Sequence, residues 1–340
     1  YSVGVQRLVD VFPSVSPTQI VAELIPPAQF IGASFDSYIP NQAHPSQSAA
    51  REGVRVFAQR VGKPVARARF RRSRAPEIRP GIYLDGGFGV GKTHLLAALW
   101  HESPNPKSFG TFVEYTNVIG LLGFRNAVEQ FADRALVCID EFELDDPGDT
   151  VLMSTFLNEL VNRGVNVAAT SNTLPDRLGE ERFAADSFLR EIQGLASHFD
   201  VIRIEGPDYR HRNLELNQKV FTDADVTSVC ERTPHSALDN WRELLEHLSK
   251  VHPAQYGPMV EELSLLGLTD VEVVRNETQA LRVVSLVDRL YDRSVPVVNS
   301  GIDITSIFTD SMLKGGYRKK YFRALSRLAS LAQLGATVVE

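Results

Sequence analysis

A glycine-rich run that ends in lysine and threonine is the first feature of the chain that predicts chemistry. The run fits the pattern G-x-x-x-x-G-K-[ST], follows the strand-like residues 82–84 and precedes a helical pattern. Its members are Gly86, Gly87, Phe88, Gly89, Val90, Gly91, Lys92 and Thr93. Backbone N–H groups of such a loop converge on phosphate oxygens at a helix N-terminus. Lys92 is expected to neutralise the β and γ phosphates and Thr93 to ligate Mg²⁺, so the loop predicts an ATP and Mg²⁺ site.

Two neighbouring acids, Asp140 and Glu141, end the apolar run 136–139. Ligands of open α/β sheets bind at the carboxyl ends of the strands, which places both carboxylates near the phosphate loop. Asp140 is expected to hold the Mg²⁺ shell, and Glu141 to polarise the attacking water. The pair favours hydrolysis over transfer to an acceptor hydroxyl. The following acids are interpreted as solvated or helix-capping residues: Glu143, Asp145, Asp146 and Asp149.

A third apolar run, VAATSN, ends in Asn172. An asparagine at the tip of a strand that lies between the phosphate-loop strand and the acid strand is the sensor arrangement of AAA+ proteins. In that arrangement Asn172 holds the lytic water or contacts the γ-phosphate. The alternative is that Asn172 only organises the turn that follows it.

The elements that must position these residues alternate between strands and helices. Five strands are predicted, at GIYLDG, TFVEYT, ALVCIDEF, VNVAATSN and DVIRIEG, with amphipathic segments between most of them. Two early helices are predicted after Ser16 and at Pro45. This pattern indicates an α/β fold, a five-stranded parallel sheet with helices on both faces.

A less regular region follows Arg212 and ends in a smaller C-terminal α/β region. Its predicted elements are a strand at DVEVV, a helix at QALRVVSLVDRLYDR, a strand at VPVVNS and a helix at YFRALSRLASL. We expect three parts: residues 1–60 as an N-terminal helical strap leading into the nucleotide site, 61–215 as the ATPase core and 216–340 as the C-terminal region.

Composition narrows the class of protein. The 340 residues are 43% hydrophobic and 23% charged, as in globular chains, and the net charge of -6 disfavours a nucleic-acid partner. Two cysteines, Cys138 and Cys230, are too few for a disulfide framework and indicate a reducing compartment. No run approaches the roughly twenty apolar residues of a membrane span, which leaves peripheral attachment open. The basic run between Lys63 and Arg79 is interpreted as a solvated loop, with phosphate or anionic-lipid binding as the alternative.

Several segments together resemble one family. GGFGVGKTHLL, CIDEFELDD, VAATSN and DYRHR, with ASFDSYIPNQAHPSQ upstream and LVDRLYDRSVPVVNSG and YFRALSRLASL downstream, resemble the ZapE-type cell-division ATPases and their mitochondrial relatives. The likeness covers nearly the whole chain. It implies an AAA+ P-loop NTPase core, ATP-dependent homo-oligomers, and either a cytoplasmic location or a peripheral one at the inner face of the cell membrane. It also implies a protein partner in the division ring such as FtsZ, whereas mitochondrial relatives are linked to protein quality control.

The resemblance also implies residues on the base side of the nucleotide. In related AAA+ proteins the segments similar to FDSY and HPSQ lie beside the adenine, so Tyr38 and His44 are candidates for contacting it. The alternative is that these segments form only a packed strap. His94 follows Thr93 and is a further candidate.

AAA+ ATPases complete the site with an arginine from the neighbouring subunit, which stabilises charge on the phosphoryl group. In ZapE relatives an arginine precedes a Phe-Leu pair, but here the pair Phe188 and Leu189 follows Asp186 and Ser187. The arginine finger has therefore moved or is absent. Arg210 is ranked first among the candidates because it lies within the matching segment DYRHR. The other candidates are Arg182, Arg190, Arg212, Arg323 and Arg327.

Three functions are consistent with this sequence. The first is an ATPase that remodels a protein partner. The alternative is a nucleic-acid-directed ATPase of the helicase-loader type, because FDSY followed by HPSQSAA is loosely similar to the start of that class. The third is a nucleotide-dependent assembly switch without hydrolysis, against which Glu141 argues.

Overall fold

The computed structural model describes residues 5–14, 16–63, 79–87, 89–142, 147–172, 194, 196–206 and 218–339. The chain divides into two compact units, one of Pro17–His211 and one that combines Tyr1–Ser16 with Arg212–Glu340. Predictions on Phe88, Arg182, Arg190, Arg210 and Arg212 lie outside the described residues, as do those on Glu143, Asp145, Asp146, residues 64–78 and the boundary at 216.

The first unit is built on a five-stranded sheet in the order β2-β3-β4-β1-β5, and every neighbouring pair is parallel. Its strands are β1 (Gly81–Gly86), β2 (Lys107–Thr111), β3 (Leu136–Asp140), β4 (Asn166–Ser171) and β5 (Phe199–Ile204). The predicted parallel α/β sheet is thereby confirmed, and β4 lies between β1 and β3 as the sensor arrangement requires.

Helices cover both faces of this sheet. They are α1 (Pro17–Ala22), α2 (Pro45–Ala58), α3 (Lys92–Glu102), α4 (Phe112–Leu122), α5 (Phe124–Phe131) and α6 (Pro147–Asn162), with a 3-10 turn at Ala28–Phe30. Side chains alternate along β1. Ile82 and Leu84 pack in the cluster that contains α2 and α3, whereas the ring of Tyr83 lies edge-on to Phe142, which packs against Phe112 of α4.

The second strand differs from the prediction. It was predicted at TFVEYT, but β2 ends at Thr111 and the following residues begin α4. The Thr111 hydroxyl accepts a hydrogen bond from Glu114 N at 3.3 Å, and the Glu114 carboxylate accepts one from Thr111 N at 2.6 Å. This capping box satisfies two N–H groups of the first turn, so it outweighs the strand propensity of the aromatic and β-branched residues that follow.

The second unit contains a parallel three-stranded sheet in the order β6-β7-β8. Its elements are α7 (Asp223–Arg232), β6 (Ser236–Asn240), α8 (Trp241–Lys250), α9 (Tyr256–Met259), β7 (Leu265–Val271), α10 (Glu277–Asp292), β8 (Val297–Gly301), α11 (Asp310–Lys314) and α12 (Arg318–Val339), with 3-10 turns at Leu8–Asp10, Pro253–Gln255 and Ile304–Ser306. The C-terminal α/β region is confirmed. It is more regular than predicted, because α7, β6 and α8 precede the expected elements and β7 begins before DVEVV.

The N-terminal residues belong to this second unit. Gln6 forms a parallel bridge with Ala237, and the buried Asp239 carboxylate accepts hydrogen bonds from Leu8 N at 2.8 Å and Val9 N at 3.3 Å. The sequence prediction had grouped residues 1–60 as one strap. In the structure, Tyr1–Ser16 belongs to the second unit, and the first unit, which carries the phosphate loop, begins at Pro17.

A buried ion cluster joins α10 to α12. The Asp288 carboxylate contacts Arg323 at 3.1 Å and also pairs with Arg327, and all three side chains are less than one-fifth exposed. Burial alone would raise the pKa of Asp288, but the two guanidinium groups outweigh burial and hold this pKa below its usual value. Over the described part of the chain, none of the helices has both the length and the hydropathy of a bilayer span.

Candidate nucleotide site

The phosphate loop turns sharply into α3 at Gly91. This residue precedes the helix with a φ of 86°, in the left-handed region, and Gly89 has a φ of 77°. A Cβ on Gly91 would lie 2.5 Å from Cε2 of Tyr38. Both the backbone conformation and the contact with the ring therefore require glycine at position 91.

Lys92 joins the loop to the tip of β4. Its ammonium group donates hydrogen bonds to Gly86 O at 2.7 Å, to Gly87 O at 2.6 Å and to Asn172 Oδ1 at 2.9 Å. The two side chains come from positions 80 residues apart in the sequence. The structure thus places Asn172 beside the phosphate loop, where the sensor hypothesis needs it.

Asp140 lies next to Thr93 at the carboxyl end of β3. The Thr93 hydroxyl donates to Asp140 Oδ2 at 3.0 Å, and the Thr170 hydroxyl donates to Oδ1. Burial and the neighbouring Glu141 carboxylate raise the pKa of Asp140, while the hydrogen bonds from Thr170 and Thr93 oppose that rise. A hydroxyl and a carboxylate at this separation are the oxygen ligands that Mg²⁺ prefers, so these two residues fit the ion.

Glu141 has a left-handed backbone conformation, with a φ of 53°. Its N–H donates to Thr170 Oγ1 at 3.1 Å, and the N–H of Phe142 donates to Thr170 O at 2.7 Å. The sequence reasoning missed Thr170. The available signal was a hydroxyl residue two positions before Asn172 on the strand expected beside β3.

The candidate base-side residues contact the loop and α3. The phenol of Tyr38 donates to Val90 O at 2.9 Å, and burial raises the pKa of this phenol. The ring of His94 lies with Nε2 3.0 Å from Ser37 Oγ and 3.1 Å from Ser34 O. Tyr38 and His94 therefore fasten the 34–38 segment over the start of α3, and His44 occupies the position just before α2.

The first turn of α2 is also tied to the end of β5, which the sequence did not predict. Ser46 Oγ accepts from Glu205 N and Gln47 Nε2 donates to Glu205 O, both at 2.9 Å. A Cβ on Gly206 would lie 2.8 Å from Gln47 Nε2 and 3.0 Å from Val90. The strap, the phosphate loop and the end of β5 are therefore packed together.

Among the arginine candidates, only Arg323 and Arg327 are described. Both belong to the second unit and pair with Asp288. Their positive charge is therefore used within that unit, between α10 and α12.

A model of the AFG1-like ATPase family matches residues 14–235 and 231–337. The chain belongs to the AFG1-like ATPase family. This membership confirms the ZapE-type resemblance and makes the protein an AAA+ ATPase related to ZapE.

Two curated relatives, one bacterial and one animal, are similar to this AFG1-like ATPase. It is 27% identical over 294 residues to the cell division protein ZapE of Escherichia coli K12, covering 74% of this chain and 77% of ZapE. It is 24% identical over 295 residues to lactation elevated protein 1 homolog B of Danio rerio, covering 66% of this chain and 56% of that protein.

Solved structures of replication initiators also align with this AFG1-like ATPase. DnaA of Aquifex aeolicus bound to AMPPCP aligns over 91% of this chain and 90% of that chain, with 12% identity and a TM-score of 0.39. Domain III of Thermotoga maritima DnaA aligns over 77% and 85%, with 17% identity and a TM-score of 0.40.

Proposed function

We propose that this AFG1-like protein hydrolyses ATP with Mg²⁺ and uses the reaction to remodel a protein partner. The observation that carries the proposal is the convergence of three strand ends on one edge of the sheet. Lys92 Nζ lies 2.9 Å from Asn172 Oδ1, and Thr93 Oγ1 lies 3.0 Å from Asp140 Oδ2. Glu141 directly follows Asp140, so a phosphate-binding cation, a metal-binding pair, a base and a polar amide share this edge.

Each side chain has one task in this proposal. The loop 86–91, including Phe88 and Val90, cradles the phosphates through its N–H groups, and Lys92 neutralises the β and γ phosphates. Thr93 and Asp140 hold Mg²⁺, which when bound neutralises charge on the phosphate oxygens. Glu141 accepts a proton from the water whose oxygen attacks the γ-phosphorus, and the bond to the ADP oxygen breaks. Asn172 orients that water against the γ-phosphate.

The remaining roles rest on the family. Tyr38, His44 and His94 are proposed to line the base side of the nucleotide. Arg210, with Arg182 next, is proposed to reach the γ-phosphate of a neighbouring subunit in an ATP-dependent homo-oligomer. Residues 61–215 are proposed as the catalytic core, 1–60 as the strap with its first part carried on the second unit, and 216–340 as the C-terminal α/β region.

The proposed partner is a component of the cell-division machinery, with FtsZ as the named candidate. The support is the 27% identity to ZapE over 77% of that protein. We propose a cytoplasmic protein with peripheral contact at the inner face of the cell membrane.

A hydrolysis-deficient variant tests the proposal. Glu141→Gln keeps the size and polarity of the side chain but removes the base, so it should bind ATP and release almost no phosphate. The wild-type protein should hydrolyse ATP, and this activity should be lost in EDTA. Copurification with the Glu141→Gln variant from the source cell should recover FtsZ or another division protein in ATP but not in the ADP control. Nuclease treatment should not change this recovery. A wild-type protein without ATPase activity would refute the enzymatic proposal.

One observation favours the nucleic-acid-directed alternative in general, a match to part of a chromosomal replication initiator rather than to a helicase loader. The chain is 32% identical over 140 residues to DnaA of Pseudothermotoga lettingae, which covers 37% of this chain and 30% of that protein. In the same copurification, the Glu141→Gln variant could recover DNA or replication proteins, and nuclease would then abolish the recovery. That result would favour the nucleic-acid-directed function over the remodelling function.

A further inference from the structure

We infer that Thr170 is a positioning residue for hydrolysis, which holds Asp140 and the backbone of Glu141 in their working arrangement. The inference rests on the proposed ATPase function. In that mechanism Thr170 touches neither phosphate nor water and acts through Asp140 and Glu141.

One residue of β4 holds three consecutive residues of the acid strand. The Thr170 hydroxyl donates to Asp140 Oδ1 and accepts from Glu141 N at 3.1 Å, and Thr170 O accepts from Phe142 N at 2.7 Å. The hydroxyl thus uses its one hydrogen as a donor and a lone pair as an acceptor.

The position of these bonds on the sheet explains their importance. The pairing of β3 with β4 runs from Leu136 opposite Asn166 to Ile139 opposite Ala169. Asp140 and Glu141 lie immediately beyond the last of these pairs. Thr170 supplies the hydrogen bonds where the regular ladder between the two strands ends.

The hydrogen bonds to Thr170 are important for Glu141 because its backbone is strained. A φ of 53° puts a residue with a Cβ in the left-handed region, where the Cβ lies too close to the following carbonyl oxygen. Relaxation of this residue would change the direction in which its side chain leaves the end of β3. The N–H bonds of residues 141 and 142 to Thr170 oppose that relaxation.

Burial makes water a poor substitute for the hydroxyl. Thr170 is 1% exposed and Asp140 is 7% exposed. A buried acceptor or N–H that loses its partner keeps the desolvation penalty without the bond. Threonine also has a stiff χ1 in a strand, which fixes the direction of the hydroxyl.

Three substitutions separate the hydroxyl from the shape of the side chain. Thr170→Val keeps the shape and removes both hydrogen bonds, whereas Thr170→Ser keeps the hydroxyl. Thr116→Val is the matched control, because the Thr116 hydroxyl only donates to Val113 O within α4. The full chain is used, with kcat and KM for Mg-ATP, the Kd for ADP in EDTA and the Tm as measurements.

Thr170→Val should lower kcat on the order of 100-fold, as misplacement of a catalytic group does. The Kd for ADP in EDTA should stay within about 3-fold, since the hydroxyl lies outside the phosphate loop. Thr170→Ser should restore kcat to within about 10-fold of the wild type, and Thr116→Val should leave it unchanged.

A double-mutant cycle with Glu141→Gln identifies the route of the effect. If Thr170 acts through Glu141, adding Thr170→Val to Glu141→Gln should lower the residual rate by far less than 100-fold. If Thr170→Val lowers the Tm below the assay temperature, Thr170→Ala replaces it in the same cycle. A wild-type rate in either variant would overturn the inference while the ATPase function stands. A wild-type protein with no ATPase activity would overturn both.

Discussion

The ammonium group of Lys92 lies 2.9 Å from Oδ1 of Asn172, so the phosphate loop and the tip of β4 share a hydrogen bond. Lys92 also contacts two backbone carbonyls of its own loop, Gly86 O and Gly87 O. The side-chain oxygen of Asn172 faces the Lys92 ammonium group. The rest of the side-chain amide therefore lies at the same edge of the sheet, close to where the γ-phosphate is proposed to bind. Substitution of Asn172 is therefore expected to impair hydrolysis, whereas substitution of Lys92 is expected to impair nucleotide binding.

Asn172→Ala should lower kcat for ATP hydrolysis on the order of 100-fold, because a preorganised polar group is lost from the reacting edge. The affinity for ADP should change little, whereas Lys92→Ala should weaken binding of both ADP and ATP. Steady-state phosphate release and ADP titration measure the two effects. Asn126→Ala is the control, since the exposed amide of Asn126 in α5 only donates to Leu122 O at the end of α4. Equal losses of ADP affinity in the Asn172 and Lys92 variants would contradict the division of roles.

Gly91→Ala should weaken nucleotide binding and lower the Tm. The new methyl would face Tyr38 Cε2 at 2.5 Å, and a φ of 86° is unfavourable for alanine. We expect a loss of stability of about 1–3 kcal/mol, measured by denaturant unfolding. Gly32→Ala is the control, because a Cβ there meets nothing within 4 Å among the described residues. Unchanged nucleotide affinity would show that the loop adapts.

Asp288→Asn should destabilise the protein by about 3 kcal/mol at pH 7, because it leaves the buried charges of Arg323 and Arg327 without their carboxylate. Glu272→Gln is the control, since its ion pair with Arg242 is more than half exposed and is expected to contribute less than about 1 kcal/mol. Chemical unfolding at pH 7 compares the two variants.

The effect of Asp288→Asn should depend on pH. The pKa of Asp288 is lower in the folded protein than in the unfolded chain. Its carboxylate therefore stabilises the fold fully above the unfolded value of about 3.9, and this contribution is lost as the pH falls through the folded value. The stability difference between wild type and variant should narrow below pH about 4. A difference that is constant down to acid pH would exclude the ion cluster as its cause.

Gly335→Ala should destabilise the second unit. A Cβ at this position of α12 would lie 2.0 Å from Val297 O, a backbone atom of β8 that has little freedom to move. Overpacking of this kind typically costs about 1–3 kcal/mol, and calorimetry should show a lower Tm. Gly316→Ala, with nothing within 4 Å of its Cβ among the described residues, should leave the Tm nearly unchanged. A wild-type Tm in both variants would mean that α12 shifts at no cost.

The local patterns of the sequence were sufficient for the first sheet and for the residues at its edge. The phosphate loop, the acid pair and Asn172 each follow a strand, and parallel strands bring their carboxyl ends to one edge. Their types and spacing therefore predicted the convergence of Lys92, Thr93, Asp140 and Asn172 that the distances show. The α/β fold was predictable for the same reason, whereas the family was predictable from the resemblance of several segments to the ZapE-type ATPases.

Tertiary structure decided what depends on contacts between distant segments. The capping box at Thr111 turned a predicted strand into a helix, and residues 6–9 joined the second unit through Ala237 and Asp239. Thr170 is an ordinary β-branched strand residue in the sequence, and only the register of β4 against β3 brings its hydroxyl between Asp140 and Glu141. Spacing along the chain encodes strands and loops, whereas the partner of a hydroxyl or an N–H group is fixed only when the strands are aligned side by side.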